Sequence, residues 1–431
     1  MPPFSRTRRR NRKPRPPDER GVTASRSTHR PRLSSGISKK RSCQRRGLSA
    51  SCRHDRLSAL TDDLLLLILQ RVDTRTALGT ATLSKRWACL PRCLDALDFR
   101  VSDILPARYY ECIRIRGEAA HFPYERPCHH REGFHALSSL VLEDLPRSTP
   151  TAAYEAIFTL CPQLQALHLK SCMLNHSVMA IHAPKSEIKQ LIMEDCWFGL
   201  IELHTLPMLE SLAVVQTDVS YKFSSFPYLT HLNITFRRGI LKTRFFHVKN
   251  DHDLNEHLGG TPVITNLIIS FTGYDRWFKP WSSTLLFPKL RRLLVADVPS
   301  SWDVSWPRLL IEAAPCLESL HIHIAPWEEE PRDDISWQPP EFCHNQLKEL
   351  VIIGFQGTER QIYFVNFVIK VSMSLQLVSL YRNGYVQDKG RWDWDIVTQQ
   401  YQWLNEEKVK ILNQIADSAP CAATPIQVVL E

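Results

Sequence analysis

No apolar run in these 431 residues approaches the roughly 18 that a membrane-crossing helix requires. Paired cysteines are missing too. The 12 cysteines include no CxxC and sit singly along the chain. No charged start, apolar core and small-residue cleavage site marks a signal peptide. The usage is that of reduced thiols in a soluble cytosolic or nuclear protein. Glycine numbers only 15, and neither G-x-x-x-x-G-K-[ST] nor G-x-G-x-x-G occurs, so no recognised phosphate-cradling loop is encoded. G-x-S-x-G and H-E-x-x-H are absent as well. The expectation is a protein that is not an enzyme and takes no cofactor.

The nearest approaches to a chemical site are weak. Cys128-His129-His130, with His121 and His135 nearby, lacks the second ligand pair that a tetrahedral zinc site uses, and is expected to be a solvated loop. His321 and His323 alternate with Ile322 and Ile324, which places both on the strand face opposite the core. They are expected as a surface pair rather than metal ligands. Asp393 and Asp395 flank Trp394 without a neighbouring base and are expected as surface charges.

Positive charge is unevenly spread. Residues 1–54 carry 17 Lys and Arg against two acidic residues, whereas the rest of the chain has 37 basic and 43 acidic residues. This Arg-, Ser- and Pro-rich leader has hardly any aromatic residues, too few for a core, and is expected as a solvated, disordered tail. Nuclear-import clusters at Arg6 to Arg15 and Lys39 to Arg46, loose nucleic-acid contacts and a transit peptide are the alternatives. No aromatics interleave with the arginines to stack on bases.

Three short helices are expected after the leader. Thr61 is placed to cap the first, with Asp62 and Asp63 at its positive end. The run Leu64 to Leu69 is apolar on every face, which demands cover on all sides. Asp73 or Thr74 can start a second helix bearing Ala77 and Leu78, and Ser84 a third bearing Lys85, Arg86 and Trp87. More apolar surface than three short helices can bury among themselves implies a permanent partner.

From Leu94 the spacing L-x-x-L-x-L recurs: Leu94-Leu97-Phe99, then copies starting at Leu137, Leu164, Ile188, Leu209, Leu229, Ile264, Leu290, Leu317 and Leu347. The last two apolar residues of each copy lie two apart and so share one face of a short strand. Most intervals sit near the period of leucine-rich repeats, whose stacked copies build a parallel sheet with a continuous interior. Cys172 and Cys196 take the next inward position, and Pro162, Pro207, Pro227, Pro288 and Pro315 precede five copies. Longer interruptions run from Phe236 to Pro262 and from Trp327 to Phe342, the second carrying Trp327 and Trp337.

The stretch Asp55-Arg56-Leu57-Ser58-x-Leu60, closed by Leu83-Ser84-Lys85-Arg86-Trp87, resembles the F-box. It departs at Thr61, where the family mostly has proline, and at Val72-Asp73, where Leu-Pro is frequent. Residues Leu347 to Glu359, followed by apolar helical spacing over Ile362 to Val371 and Leu375-x-x-Val378-x-Leu380, resemble the FBD region of plant F-box proteins with leucine-rich repeats. The resemblance implies an α/β architecture: a basic leader over 1–54, an F-box over 55–93, a leucine-rich-repeat solenoid over 94–345, an FBD-like repeat and cap over 346–404, and a tail over 405–431. Trp392, Trp394 and Trp403 are assigned to the cap.

The same resemblance implies a substrate-recognition subunit of an SCF-type ubiquitin ligase, located in the nucleus, the cytoplasm or both. Leu57, Leu60, Leu64, Ile68, Leu69, Leu78, Leu83 and Trp87 would form or support the surface that docks a Skp-family adaptor, which bridges to cullin and RING subunits. The repeats would hold a target protein, so that catalysis comes from proximity. The alternative is a repeat scaffold with a vestigial F-box, or a nucleic-acid-associated protein acting through its leader.

Overall fold

The computed structural model describes residues 57, 59–100, 134–174, 178–198, 200–217, 226–237, 263–272, 287–299, 305–325, 342–416 and 425–431. The chain divides into two compact units, residues 1–56 and 57–431, and every described residue belongs to the second. The basic leader, the Cys128-His129-His130 run with His121, and the loops carrying Trp327 and Trp337 lie outside the described residues.

The architecture is α/β, with seven α-helices and a large, open parallel sheet among the described residues. Three helices come first: α1 (Asp62–Leu69), α2 (Thr74–Gly79) and α3 (Lys85–Cys89). Their local causes are partly those expected. The Asp73 carboxylate accepts from the Thr76 amide at 2.9 Å, and the hydroxyl and amide of Thr76 hold that carboxyl below the usual range. The Ser84 hydroxyl accepts from the Trp87 amide at 3.4 Å. Thr61 stands at the N-cap of α1, but its side chain bonds no helix amide. Only its carbonyl serves the helix, accepting from Leu65 N–H at 3.1 Å.

Eleven copies of L-x-x-L-x-L, counting the one at Leu375, become strands of one sheet. These are β1 (Ala96–Arg100), β2 (Ser139–Glu143), β3 (Ala166–Lys170), β5 (Gln190–Glu194), β7 (Ser211–Val215), β8 (His231–Arg237), β9 (Asn266–Thr272), β10 (Arg292–Pro299), β11 (Ser319–Ala325), β12 (Glu349–Ile353) and β13 (Leu377–Tyr381). The twelfth, β16 (Gln427–Leu430), pairs with β13. Neighbours are parallel and in register, so Leu140, Leu167, Leu191, Leu212, Leu232, Leu267, Leu293, Leu320 and Leu350 form one row. That row is buried, and each such side chain contributes about 1.5–3 kcal/mol by leaving water.

The connections repeat as regularly as the strands. Before five strands a Pro-x-Leu turn closes identically, for instance Leu164 N–H to Cys161 C=O at 3.2 Å and Leu290 N–H to Phe287 C=O at 3.2 Å. Proline occupies the second turn position, where its fixed φ fits and its missing N–H is not needed. Directly after four strands, Asp144, Ser171, Asp195 and Gln216 take left-handed φ between 49° and 62°, and Asp297 does the same inside β10, where the register shifts between Val295 and Val298. Gly354 fills the same place after β12 with φ 78°. The next inward residues form a ladder. Cys172 Sγ donates to Leu142 C=O and Cys196 Sγ to Leu169 C=O, both at 3.3 Å, and Thr217 Oγ1 donates to Met193 C=O at 3.3 Å. Each thus satisfies a carbonyl of the preceding strand.

Helices α4 (Thr151–Leu160), α5 (Ser305–Ala313) and α6 (Glu359–Val371) lie in three of the crossovers, where α6 buries Ile362, Phe364, Val365, Val368 and Ile369 in the main core. A two-stranded parallel sheet, β4 (Val178–His182) with β6 (Leu200–Thr205), occupies two others. Residues 405–431, expected as a tail, supply α7 (Asn405–Ala416) and β16. Helix α7 packs on α6, burying Ile411 and Ile415, and Asn366 Nδ2 donates to Gln414 C=O at 3.0 Å.

The hairpin β14 (Asn383–Asp388) and β15 (Trp394–Gln399) corrects two expectations. Trp394 does not cap the end of the stack. It is buried on the sheet face opposite the main core, against Ile268, Leu294 and Ala296, with Val386 packed alongside. His321 is not a surface residue but is buried beneath it. Trp403, by contrast, packs on the main core.

Candidate functional site

Helix α1 has its apolar residues on two faces. Leu65 and Leu69, four apart, are buried with Ala77, Trp87 and Leu90 in the core that the helices share with the sheet. Leu64, Leu67 and Ile68 fall at i, i+3 and i+4 and form the other stripe. With Leu57, Val72 and Leu83 they are 38–67 % exposed. Six large apolar side chains within 27 residues therefore face water, although burying one such side chain is worth about 1.5–3 kcal/mol. Exposed apolar side chains gathered in one short unit make it the candidate contact surface.

The polar residues of this unit hold the display in place. Arg86 joins the end of the unit to its start: its Nε lies 2.7 Å from Asp62 Oδ1, and Nη2 donates to Leu60 C=O. Gln70 Nε2 donates to Asp95 Oδ1 at 3.0 Å. The amide of Asp98 in the edge strand β1 donates to Thr74 Oγ1 at 3.1 Å. The helices are thereby fastened to the first strand of the sheet, and one edge amide is satisfied by α2.

The residues singled out from sequence separate into two sets. Leu57, Leu64, Ile68 and Leu83 are exposed; Leu60 and Leu78 are half-buried; Leu69 and Trp87 are buried and lie inside the unit. Leu67 and Val72 are exposed and were not among them. Helical spacing from Leu64 was the signal that could have found Leu67.

The open sheet face is the second surface. Its middle row runs Asp98, Val141, His168, Ile192, Ala213, Asn233, Ile268, Leu294, His321, Val351 and Ser379. On β1 to β5 this face carries an ion ladder. Glu143 bridges Arg100 at 2.8 Å and Lys170 at 3.0 Å, and Glu194 bridges His168 at 3.1 Å and Arg391 of the β14–β15 turn. Burial pushes the His168 imidazole below its ordinary pKa despite the neighbouring Glu194. Farther along, the hairpin covers the face. Asn233 Nδ2 donates to Arg391 C=O at 2.7 Å, Arg292 Nη1 meets Asp393 Oδ1 at 2.9 Å, and the Arg292 guanidinium lies 4.4 Å from the Trp394 ring. Asp395 pairs with Lys389. His323 Nδ1 lies 3.1 Å from Asp297 Oδ1.

Among the described residues, no group of three or more His, Cys, Asp and Glu side chains is placed to hold a metal ion, and no helix is long and apolar enough to cross a membrane. The buried thiol of Cys196 is pushed above its usual pKa by desolvation, the opposite of an activated nucleophile.

No family model matches the chain. It is similar to a protein of Arabidopsis thaliana named as an FBD-associated F-box protein, with 25 % identity over 267 residues. That alignment takes in 62 % of this chain and 53 % of the relative, so the chain spans about half the relative's length. The likeness supports the F-box and FBD resemblance at the level of the family.

Proposed function

We propose that this protein is a substrate-recognition subunit of an SCF-type E3 ubiquitin ligase. In this reading α1 to α3 are an F-box that docks a Skp-family adaptor, and through it cullin and RING subunits. The register-matched strands are a leucine-rich-repeat array that holds a target protein, with an FBD-like region from residue 346 closing it. The chain itself does no acid, base or nucleophilic chemistry; it raises the effective concentration of a target lysine near the charged conjugating enzyme. Its place of work is the nucleus, the cytoplasm or both.

One observation carries the reading: Leu57, Leu64, Leu67, Ile68, Val72 and Leu83 are exposed together on a unit whose internal positions, Leu65, Leu69 and Trp87, are already filled. A folded unit with its own core has no structural use for that second apolar set, whereas a partner helix or groove does. The buried members Leu69 and Trp87 support the surface from beneath, and Leu57, Leu64, Ile68 and Leu83 contact the adaptor.

The test is co-expression of the full chain with a Skp-family adaptor, a cullin and a RING subunit. Recovery of all four in one complex supports the assignment. A chain that stays monomeric beside an assembled adaptor–cullin–RING complex overturns it and favours the repeat-scaffold reading. Imaging a fluorescent fusion tests the location.

A further inference from the structure

We propose that the cavity near the carboxyl ends of β11, β12 and β13 is a carboxylate-binding site. There the Arg382 guanidinium takes an acidic side chain from the middle of an extended segment of the target protein. This rests on the reading of the array as the part that holds a target, and it names the chemistry by which a target would be chosen.

The cavity holds about 420 Å³, within the range of pockets that take small ligands or single side chains. Arg382 directly follows β13, and its amide donates to Glu431 C=O at 2.8 Å, which fixes the backbone. Stacking fixes the side chain. The guanidinium lies 4.3 Å from the Tyr401 ring centre and 4.9 Å from that of Trp403, and the two rings meet edge to face. Stacking engages the flat face of a guanidinium and leaves the N–H groups in its plane free to donate.

Those N–H groups have no acceptor. Among the described residues, the Arg382 side chain has neither an ion-pair nor a hydrogen-bond partner. Other arginines on aromatic rings are not left in this way. Arg292 over Trp394 keeps Asp393, and Arg308 over Phe367 keeps Glu312. Arg382 is half-buried and held in one place without a counter-charge. It presents a planar fork whose geometry matches a carboxylate through two parallel hydrogen bonds.

The rest of the lining selects among anions. Asn383 and Gln399 are cross-strand partners at the open end of the hairpin, and Gln356 comes from the loop after β12. Among the described residues their side-chain amides have no hydrogen-bond partner, and each can both donate to and accept from a peptide group. They come from separate segments, so a chain running through the cavity meets amides before and after its acidic residue. A terminal carboxylate brings peptide groups on one side alone. The other ionisable group of the lining, His323, is already 3.1 Å from Asp297 Oδ1. A phosphate would bring about two negative charges against one free cation, with Asp297 close by to repel it.

The test exposes the full-length chain to a library of short synthetic peptides, acetylated and amidated at their ends, with a central Glu or Gln among varied neutral residues. The retained sequences should carry Glu. Remaking each with Gln should weaken it about tenfold or more, the scale of a charge-assisted hydrogen bond. Arg382→Gln should lose as much for the Glu peptides and nothing for their Gln counterparts. Gln399→Ala, which removes an exposed amide and disturbs no stack, should weaken the Glu peptides a few-fold. Three results would overturn the proposal: no retained peptide, Glu and Gln forms that bind the wild type equally, or a preference for Glu that survives in an Arg382→Gln protein with an unchanged melting curve. Retention only of Gln peptides with a free carboxyl end would also overturn it, in favour of a terminal carboxylate. Peptide binding needs no adaptor, so its failure leaves the ligase reading standing, and failure of adaptor binding leaves the peptide result intact.

Discussion

Trp394 and His321, 73 residues apart in sequence, meet edge to face with ring centroids 5.7 Å apart and share a 2.7 Å hydrogen bond. This contact ties the C-terminal hairpin to the middle of the sheet, and the Arg391–Glu194 pair extends the tie to β5, 197 residues away. A stack of repeats is ordinarily held only by nearest neighbours. Here one hairpin connects strands from β5 to β12, so those strands are expected to unfold together.

Replacing Trp394 with Ala should expose that coupling. The ring is buried in its own apolar cluster, and truncations of this size cost about 3–5 kcal/mol. A fall in the urea midpoint by a corresponding amount, with the far-UV spectrum unchanged, is the expected outcome. An unchanged midpoint would mean that the hairpin contributes nothing to the stability of the sheet.

Gly354→Ala should be among the most damaging single-methyl changes. Its φ is +78°, and a Cβ there would lie 2.3 Å from the Ile324 carbonyl oxygen, which is backbone and cannot swing aside. Left-handed strain together with that overlap should cost more than about 2 kcal/mol. Thermal unfolding measures it, and Gly79→Ala, where a Cβ meets nothing within 4 Å, is the control.

Thr217→Val keeps shape and removes both the accepted and the donated bond of a buried hydroxyl. The hydroxyl accepts from Cys196 N–H at 3.2 Å, and its one proton is shared between Val215 C=O at 2.9 Å and Met193 C=O at 3.3 Å. A buried amide left without an acceptor costs about 1–3 kcal/mol. Chemical denaturation should show that loss, and faster amide exchange at Cys196 should accompany it.

Stability should fall on mild acidification. Burial lowers the pKa of His168, of His231 and of His344, whose Nε2 donates to Ala314 C=O at 2.9 Å and whose Nδ1 accepts from Leu347 N–H at 3.1 Å. A histidine depressed in the folded state binds its proton more readily when unfolded. Its contribution is therefore complete above the ordinary value of about 6.5 and is lost as pH falls towards the folded pKa. Glu349, lowered by its hydrogen bond from His321, adds a loss at still lower pH. Asp388, raised by burial, acts in the opposite sense. Urea midpoints measured from about pH 7.5 to about pH 5 should decline, and His344→Gln should flatten the slope.

Strand positions were legible because their cause is local. In each copy from Leu94 to Leu375, two apolar residues two apart fix both the strand and the face it buries. Strand β16 escaped because Pro425 stands where the first leucine of the spacing would be, leaving only Val428 and Leu430 in the row. Strands β4 and β6 pair with each other and not with the main sheet, so no common spacing announced them. The hairpin could not be placed at all. Trp394 finds His321 through folding of the whole array, and nothing in the residues around either one encodes the other. At the helical unit, an all-apolar run showed that α1 must be covered on every side. Which of its leucines face inward depends on Trp87 and Leu90, whose packing is a tertiary fact, so Leu67 was missed, and the residues that form the surface could not be told from those, such as Leu69, that lie beneath it.

The most direct measurement of the central claim is the affinity of the full-length chain for a purified Skp-family adaptor, compared with Leu64→Asp. Leu64 is exposed on α1 and makes no part of the internal core, so the variant should fold with an unchanged circular dichroism spectrum. The wild type should bind tightly and the variant about 100-fold or more weakly, because a carboxylate would be buried unpaired in an apolar contact. Equal affinity in the two proteins, or no binding by the wild type, would contradict it.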